Sequence, residues 1–285
     1  MTRAPGEYDV VVAGAGSAGC VVAWSLVRAG YRVALVEAGP DYGPHDSGRW
    51  PEDILDARRL ALDSHRWTQT DAADRSQARA RVLGGCSSHN ACALVRGEPR
   101  DYDEWPKGWG AADLGPHLDR AERELRARFF ADDEVSPWHR AFVEAAGELV
   151  HRHTFNVVGS TRWNAAFAYL DPARGRANLT ILADTLVDRV RTGGAVVTSR
   201  GELSAGTVVL AAGAYGSPAI LLRSGFGPPV GEGLADHVGV GMGWAPTEEL
   251  LRAAAAHETE HGRLYEPYSL VTPPDLHLAP WSSRA

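Results

Sequence analysis

The chain has 285 residues, enough for one large domain or about two ordinary ones; 44% apolar and 23% charged residues exclude wholesale disorder. Its 29 Lys and Arg against 36 Asp and Glu leave a net charge of −7 without a long basic block, which argues against nucleic-acid binding through bulk charge. Three cysteines, Cys20, Cys86 and Cys92, form no C-x-x-C pair, so a disulfide framework and a zinc ribbon are disfavoured and a reducing compartment, the cytoplasm, is expected.

In chain order, residues 8–13 are a short β-branched run suited to a buried parallel strand. Residues 14–19 form a Gly-rich turn, 20–29 a helix that Gly30 can cap, and 31–36 a second strand ending at Glu37. Together they make a βαβ unit of about 30 residues. The uncharged stretch 10–27 reaches the length of a membrane span. Its glycines, with Glu7 and Asp9 before it, argue instead for strand, turn and helix, with no membrane segment. Residues 39–80 are broken by Pro40, Gly43, Pro44, Gly48 and Pro51 and read as irregular, with a short helix near 52–62. Residues 81–90 are a second Gly-containing turn. Residues 114–127 read as a helix with Leu114, Leu118, Ala121 and Leu125 on one face, and 138–151 as another. From 179 to 210 the period shortens into β-type runs separated by Gly-Gly and Arg-Gly, which predicts a small antiparallel meander returning to a buried strand at 207–212. A turn at 213–216 precedes a helix at 218–223. The last helix is expected at 248–261, with Gly262 beyond it, and the proline-containing tail from Pro267 is expected to be extended.

Gly14-Ala15-Gly16-Ser17-Ala18-Gly19 fits the G-x-G-x-x-G dinucleotide fingerprint. The first Gly permits the tight turn, the second lets the backbone approach a pyrophosphate, and the third lets helix and strand pack closely. The free N–H groups at the helix N-terminus then face the phosphates. Glu37 ends the second strand, where a carboxylate can bind both ribose hydroxyls and would repel a 2′-phosphate. The alternative is a Gly-rich turn that serves packing alone. His257-Glu258-Thr259-Glu260-His261 matches H-E-x-x-H, two zinc ligands and a general base on one helix face. Glu266, Asp275 and His277 are the candidates for a third ligand. The plainer reading is a solvated helix face, with no metal.

Several longer strings carry a resemblance. Residues 81–90 (RVLGGCSSHN) and 213–227 (GAYGSPAILLRSGFG) resemble the two signatures of the glucose–methanol–choline oxidoreductases. Between and beyond them, Arg96-Gly97 with Asp101-Tyr102-Asp103-Glu104-Trp105, then RWNAAFAYL at 162–170, RANL at 176–179 and GEGLADH at 231–237 resemble further stretches of that family in the same order.

The resemblance implies an α/β fold: an FAD-type Rossmann domain with a mainly parallel sheet, helices and a small β-meander, beside an incomplete substrate cap. The implied division is an FAD-binding domain in two parts, 1–125 and 161–243, a shortened cap segment at 126–160, and the start of a substrate domain at 244–285. The implied activity is FAD-dependent oxidation of a small-molecule alcohol by hydride transfer to flavin N5. Cofactor-binding positions carried over or read from the fingerprint are Gly14, Gly16, Ser17, Ala18, Gly19, Glu37, Ala38, Val82, Gly84, Gly85, Cys86, His89, Asn90, Ala91, Val187, Ala212 and Gly213. Val187 matches the position whose main chain reads the adenine. GGCSSHN is similar to the string of choline oxidases in which this His carries the flavin covalently, so His89 is expected either to do so or to hydrogen-bond near the ring. Cys86 and Cys92 are expected to behave as small hydrophobes rather than as redox thiols.

No His of this chain stands in the family's His-x-x-Gly-Thr context, so no catalytic base is assigned. The expectation is a chain shorter than its family, whose exposed sheet edge and apolar face invite association with a second copy or a complementing C-terminal chain. The alternatives to an FAD-dependent alcohol oxidoreductase are a flavin-binding subunit without turnover, an NAD-linked dehydrogenase and a zinc hydrolase.

Overall fold

The computed structural model describes residues 7–58, 61, 64–67, 79–236, 243–261, 268–272 and 276–278. In chain order its elements are β1 (Glu7–Ala13), α1 (Ser17–Arg28), β2 (Val33–Val36), α2 (Glu52–Leu55), β3 (Ala93–Leu94), α3 (Pro99–Asp103), α4 (Ala111–Glu124), α5 (Pro137–Ala146), β4 (Val150–Arg152), β5 (Thr154–Phe155), β6 (Val157–Val158), β7 (Thr161–Arg162), β8 (Leu179–Leu182), β9 (Val187–Arg191), β10 (Ala195–Thr198), β11 (Gly201–Leu210), α6 (Gly213–Arg223), α7 (Glu248–His261), β12 (Tyr268–Thr272) and β13 (Leu276–Leu278). A 3-10 helix covers Gly85–Ser88 and a π-helical turn Ala166–Leu170. The chain divides into two compact units, residues 1–55, 61–90 and 163–237, and residues 56–60, 91–162 and 238–285. These boundaries stand beside the 125/126, 160/161 and 243/244 divisions implied by the resemblance.

The first unit is built on a sheet whose strand order among the described residues is β8-β2-β1-β11-β10-β9. β1, β2, β8 and the second half of β11 run parallel; β11, β10 and β9 form the antiparallel meander. Val11, Val12, Val33, Ala34 and Leu35 are fully buried, as expected of strands covered on both faces. α1 lies against this sheet, and Trp24 meets Tyr169 of the π-helical turn edge-on at 5.6 Å. The stretch 10–27 is therefore strand, turn and helix, and no described helix is long and apolar enough to cross a membrane.

The boundaries differ from the sequence reading for identifiable reasons. α1 begins at Ser17 rather than Cys20, because Gly16 takes an extended N-cap conformation. The run 179–182 is not part of the meander. It pairs in parallel with β2 in the register Val33↔Leu179 to Val36↔Leu182, and a short β-branched run carries no mark of its partner's direction. β11 is one ten-residue strand, not a strand beginning at 207; its first residues pair β10 and its later ones β1. The turn expected at 213–216 is the first turn of α6, which keeps Pro218 inside at the loss of one backbone hydrogen bond. α5 stops at Ala146, where Gly147 turns to φ +57°, and His151 stands in β4. The helix expected at 52–62 ends at Leu55. Leu62, His237, Gly262 and Pro267 lie outside the described residues.

The second unit contains small sheets, β13-β12-β4, β3-β5 and β6-β7, with α3, α4, α5 and α7. Its core includes Ala57, Cys92, Phe130, Val135, Phe155 and Val157. α4 turns Leu114, Leu118, Ala121 and Leu125 to its half-buried side, as its spacing predicts. Arg96 reaches α4 through Asp119 at 2.7 Å and Glu122 at 2.6 Å. The tail is extended where it is described: β12 pairs with β4 and β13.

Candidate functional site

The order β2-β1-β11 puts β1 where the chain leaves first to one side, toward β2 and β8, and later to the other, toward β11. Such a switch point opens a crevice at the carboxyl ends of the strands. Gly14–Gly19 lies there, directly after β1. Gly14 has φ +99°, and a Cβ on it would lie 2.6 Å from Ala211 O and 2.8 Å from Ala212 Cα. A Cβ on Gly19 would fall on the carbonyl oxygen of Gly14. Gly16 faces the second Gly-rich turn: a Cβ on Gly85 would lie 2.6 Å from Gly16 Cα. The Gly84 N–H donates to Ala15 O at 2.8 Å, which ties the two turns together.

Glu37 closes the back of this cradle. Its Oε2 accepts the Ala15 N–H and its Oε1 the Gly39 N–H, both at 2.9 Å. The side chain is 7% exposed. Burial pushes its carboxyl above the usual range, and the backbone N–H groups of Ala15 and Gly39 offset part of that rise. Arg81 Nε donates to Ala38 O at 2.9 Å, holding the second turn against the end of β2. The Thr185 N–H donates to Glu37 O at 2.8 Å, so the chain passes the same corner just before β9 begins at Val187.

The structure thus brings together Gly14, Gly16, Gly19, Glu37, Ala38, Gly84, Gly85 and Ala212. Ser17, Ala18, Cys86, Asn90 and Gly213 are exposed, whereas Val82 and Val187 are buried. His89 is 2% exposed and follows the 3-10 helix with its N–H on Cys86 O. Ala91 is the first residue of the second unit after the 90/91 boundary. Cys92 is buried and its thiol pushed up to about 11 by burial, in keeping with a packing role; Cys86 departs from that expectation, being exposed. Three further residues escaped the sequence reading. Ser87 Oγ donates to Gly84 O at 2.7 Å and accepts the Ala165 N–H at 3.0 Å, Ser88 Oγ donates to Leu83 O at 2.9 Å, and Asn164 is fully buried beside Gly84. The available signal was Asn164 itself, a polar residue inside the apolar run 163–170.

His257 and His261 stand side by side on α7, ring centroids 4.6 Å apart. Among the described residues no group of three or more His, Cys, Asp and Glu could hold a metal. Glu266 and Asp275 lie outside the described residues, as does the side chain of His277. Burial, His261 and Arg140 push His257 below the usual imidazole range, against a partial offset from Glu260 and Glu258. The unfolded chain therefore binds the proton more tightly, and stability is lost as pH falls from the ordinary value of about 6.5 through the folded one. Thermal unfolding between pH 5 and 8 is expected to show this loss in the wild type and a flatter profile in H257F. Equal profiles would remove His257 as the cause.

A family model described as GMC oxidoreductase matches residues 8–239. Human mitochondrial choline dehydrogenase is 33% identical over 81% of this chain and 50% of its own length. The 5-(hydroxymethyl)furfural oxidase of Methylovorus sp. (strain MP688) is 31% identical over 87% of this chain and 60% of its own. The crystal structure of pyridoxine 4-oxidase from Mesorbium loti superposes with a TM-score of 0.64 at 32% identity, covering 77% of this chain and 52% of that one. The chain thus spans about half the length of these proteins.

Proposed function

Because the chain belongs to the GMC oxidoreductase family, we propose that it binds FAD and takes part in the oxidation of a small alcohol. The observation that carries this reading is the glycine cradle: two turns so close that a side chain on Gly85 would strike Gly16, with the Glu37 carboxylate behind them. A pyrophosphate and a flat ring need such close backbone approach. The residues present fit the cofactor. Gly14, Gly16, Ser17, Ala18 and Gly19 would hold the pyrophosphate at the start of α1, where free N–H groups favour anions. Glu37 and Ala38 would hold the ribose, and the main chain of Val187 the adenine. Val82, Gly84, Gly85, Cys86, His89 and Asn90 would line the flavin end, with Ala212 and Gly213 closing the crevice.

When bound, FAD supplies the acceptor for the hydride that leaves the alcohol carbon. Glu37 keeps a lone pair on each oxygen after accepting one backbone N–H apiece, enough for two ribose hydroxyls. The hydroxyl proton of the alcohol needs an acceptor within hydrogen-bond reach, and we assign no residue of the chain to it.

The test is the visible spectrum of the purified chain, before and after acid precipitation. Flavin absorbance is expected, and with His89 nearly enclosed by protein the colour is expected in the supernatant. Colour in the pellet, released by H89A, would establish the covalent link through His89 instead. A folded, colourless chain that does not take up added FAD would sink the reading. Bound flavin that no alcohol bleaches would leave a binding protein without turnover.

A further inference from the structure

Asn164 lies fully buried in the first unit, next to the π-helical turn. Its Oδ1 accepts the Phe167 N–H at 3.1 Å, which fixes the orientation of the amide and leaves Nδ2 as a donor. That Nδ2 is buried without a hydrogen-bond partner. A buried donor left unmade is costly, so a polar residue held here with one donor unused calls for a reason beyond its bond to Phe167. The side chain sits under the second glycine turn: a Cβ on Gly84 would lie 3.3 Å from Asn164 Cγ and Oδ1. Its neighbour Ala165 donates to Ser87 Oγ, which in turn donates to Gly84 O. The turn's own backbone is engaged elsewhere, the Gly84 N–H on Ala15 O and the Gly85 N–H on Val82 O. Residues 164–165 therefore form the floor of the turn, and the floor carries one donor that the turn does not use.

We propose that Asn164 is a positioning residue for the flavin half of the cofactor, propping the 84–88 turn and keeping its Nδ2 donor for an acceptor that the loaded site brings. This rests on the FAD reading above. The isoalloxazine carries carbonyl and ring-nitrogen acceptors on its pyrimidine edge, the complement of an amide N–H. The ADP half lacks that ring, so the two halves of the cofactor separate the assignment from general damage to the site.

The experiment is isothermal titration of the full chain with FAD and, separately, with ADP. N164D keeps an oxygen for the Phe167 N–H and replaces the donor with a second oxygen, at the cost of a buried carboxyl group. N164L fills the volume with neither group and guards against misfolding of the charged variant. Each is expected to bind FAD about tenfold more weakly with ADP affinity unchanged. Unchanged FAD affinity in N164L would overturn the assignment, as would equal weakening of FAD and ADP. A wild-type chain that does not bind FAD would overturn the functional reading and this one with it, a result distinct because it needs no variant.

Discussion

Gly19→Ala is expected to destabilise the chain by about 3 kcal/mol or more and to abolish cofactor binding. The third position of a dinucleotide fingerprint accepts alanine in some proteins, so the expectation rests on this structure. A Cβ at Gly19 would clash with the carbonyl oxygen of Gly14, with Ala211 Cβ a further neighbour at 3.4 Å. The obstructing atom is backbone at the end of β1, so no side chain can swing away. Relief requires α1 to lift from the sheet, and that movement carries Gly16 and the first-turn N–H groups out of the cradle. Gly115→Ala is the matched control. A Cβ there meets nothing within 4 Å, and the position is inside α4; alanine in a helix interior should stabilise by about 1 kcal/mol. Urea unfolding of both variants decides the matter. A G19A chain within about 1 kcal/mol of wild type would show that the helix–strand approach is not limiting.

The β1–α1–β2 unit and its turn were legible in the sequence because glycine positions and a fully apolar strand constrain the backbone directly. Glu37 was legible for the same reason: it stands where β2 must end. The direction of β8 was not, since Leu179–Leu182 pairs equally well either way and only its neighbour decides. The start of α6 was obscured by Pro218, which marks first turns more often than interiors. At the site, the glycines announced themselves, whereas Ser87, Ser88 and Asn164 act through hydrogen bonds to carbonyls and N–H groups of a turn whose shape the sequence does not show. His89 and Cys86 illustrate the same limit. Within the six-residue stretch 85–90 the imidazole is enclosed and the thiol exposed, and only the path of the 3-10 helix sorts them.

Glu37→Gln is expected to weaken FAD binding by roughly 100-fold, the scale of about 3 kcal/mol for hydrogen bonds to a charged acceptor. Both carboxylate oxygens hold backbone N–H groups, Ala15 on one and Gly39 on the other. A glutamine must turn its NH2 toward one of these donors, which loosens the cradle at Ala15 or the bend at Gly39 and leaves one acceptor for two ribose hydroxyls. The variant also has a pH signature without ligand. Burial raises the folded pKa of Glu37 above the ordinary value of about 4.5. The folded chain thus holds this proton more tightly than the unfolded one. The contribution to stability is complete below about 4.5 and is lost as pH rises through the folded value. E37Q should remove that part of the slope. A variant that binds FAD like the wild type and keeps the full slope would sink both expectations. ADP provides the discriminating comparison. On the proposed reading Glu37 acts at the ribose, so E37Q should weaken ADP and FAD by the same factor, whereas the Asn164 variants should weaken FAD alone. Glu37 touches the first glycine turn at Ala15 and Asn164 the second at Gly84, and the ratio of the two affinities reports which turn has been disturbed.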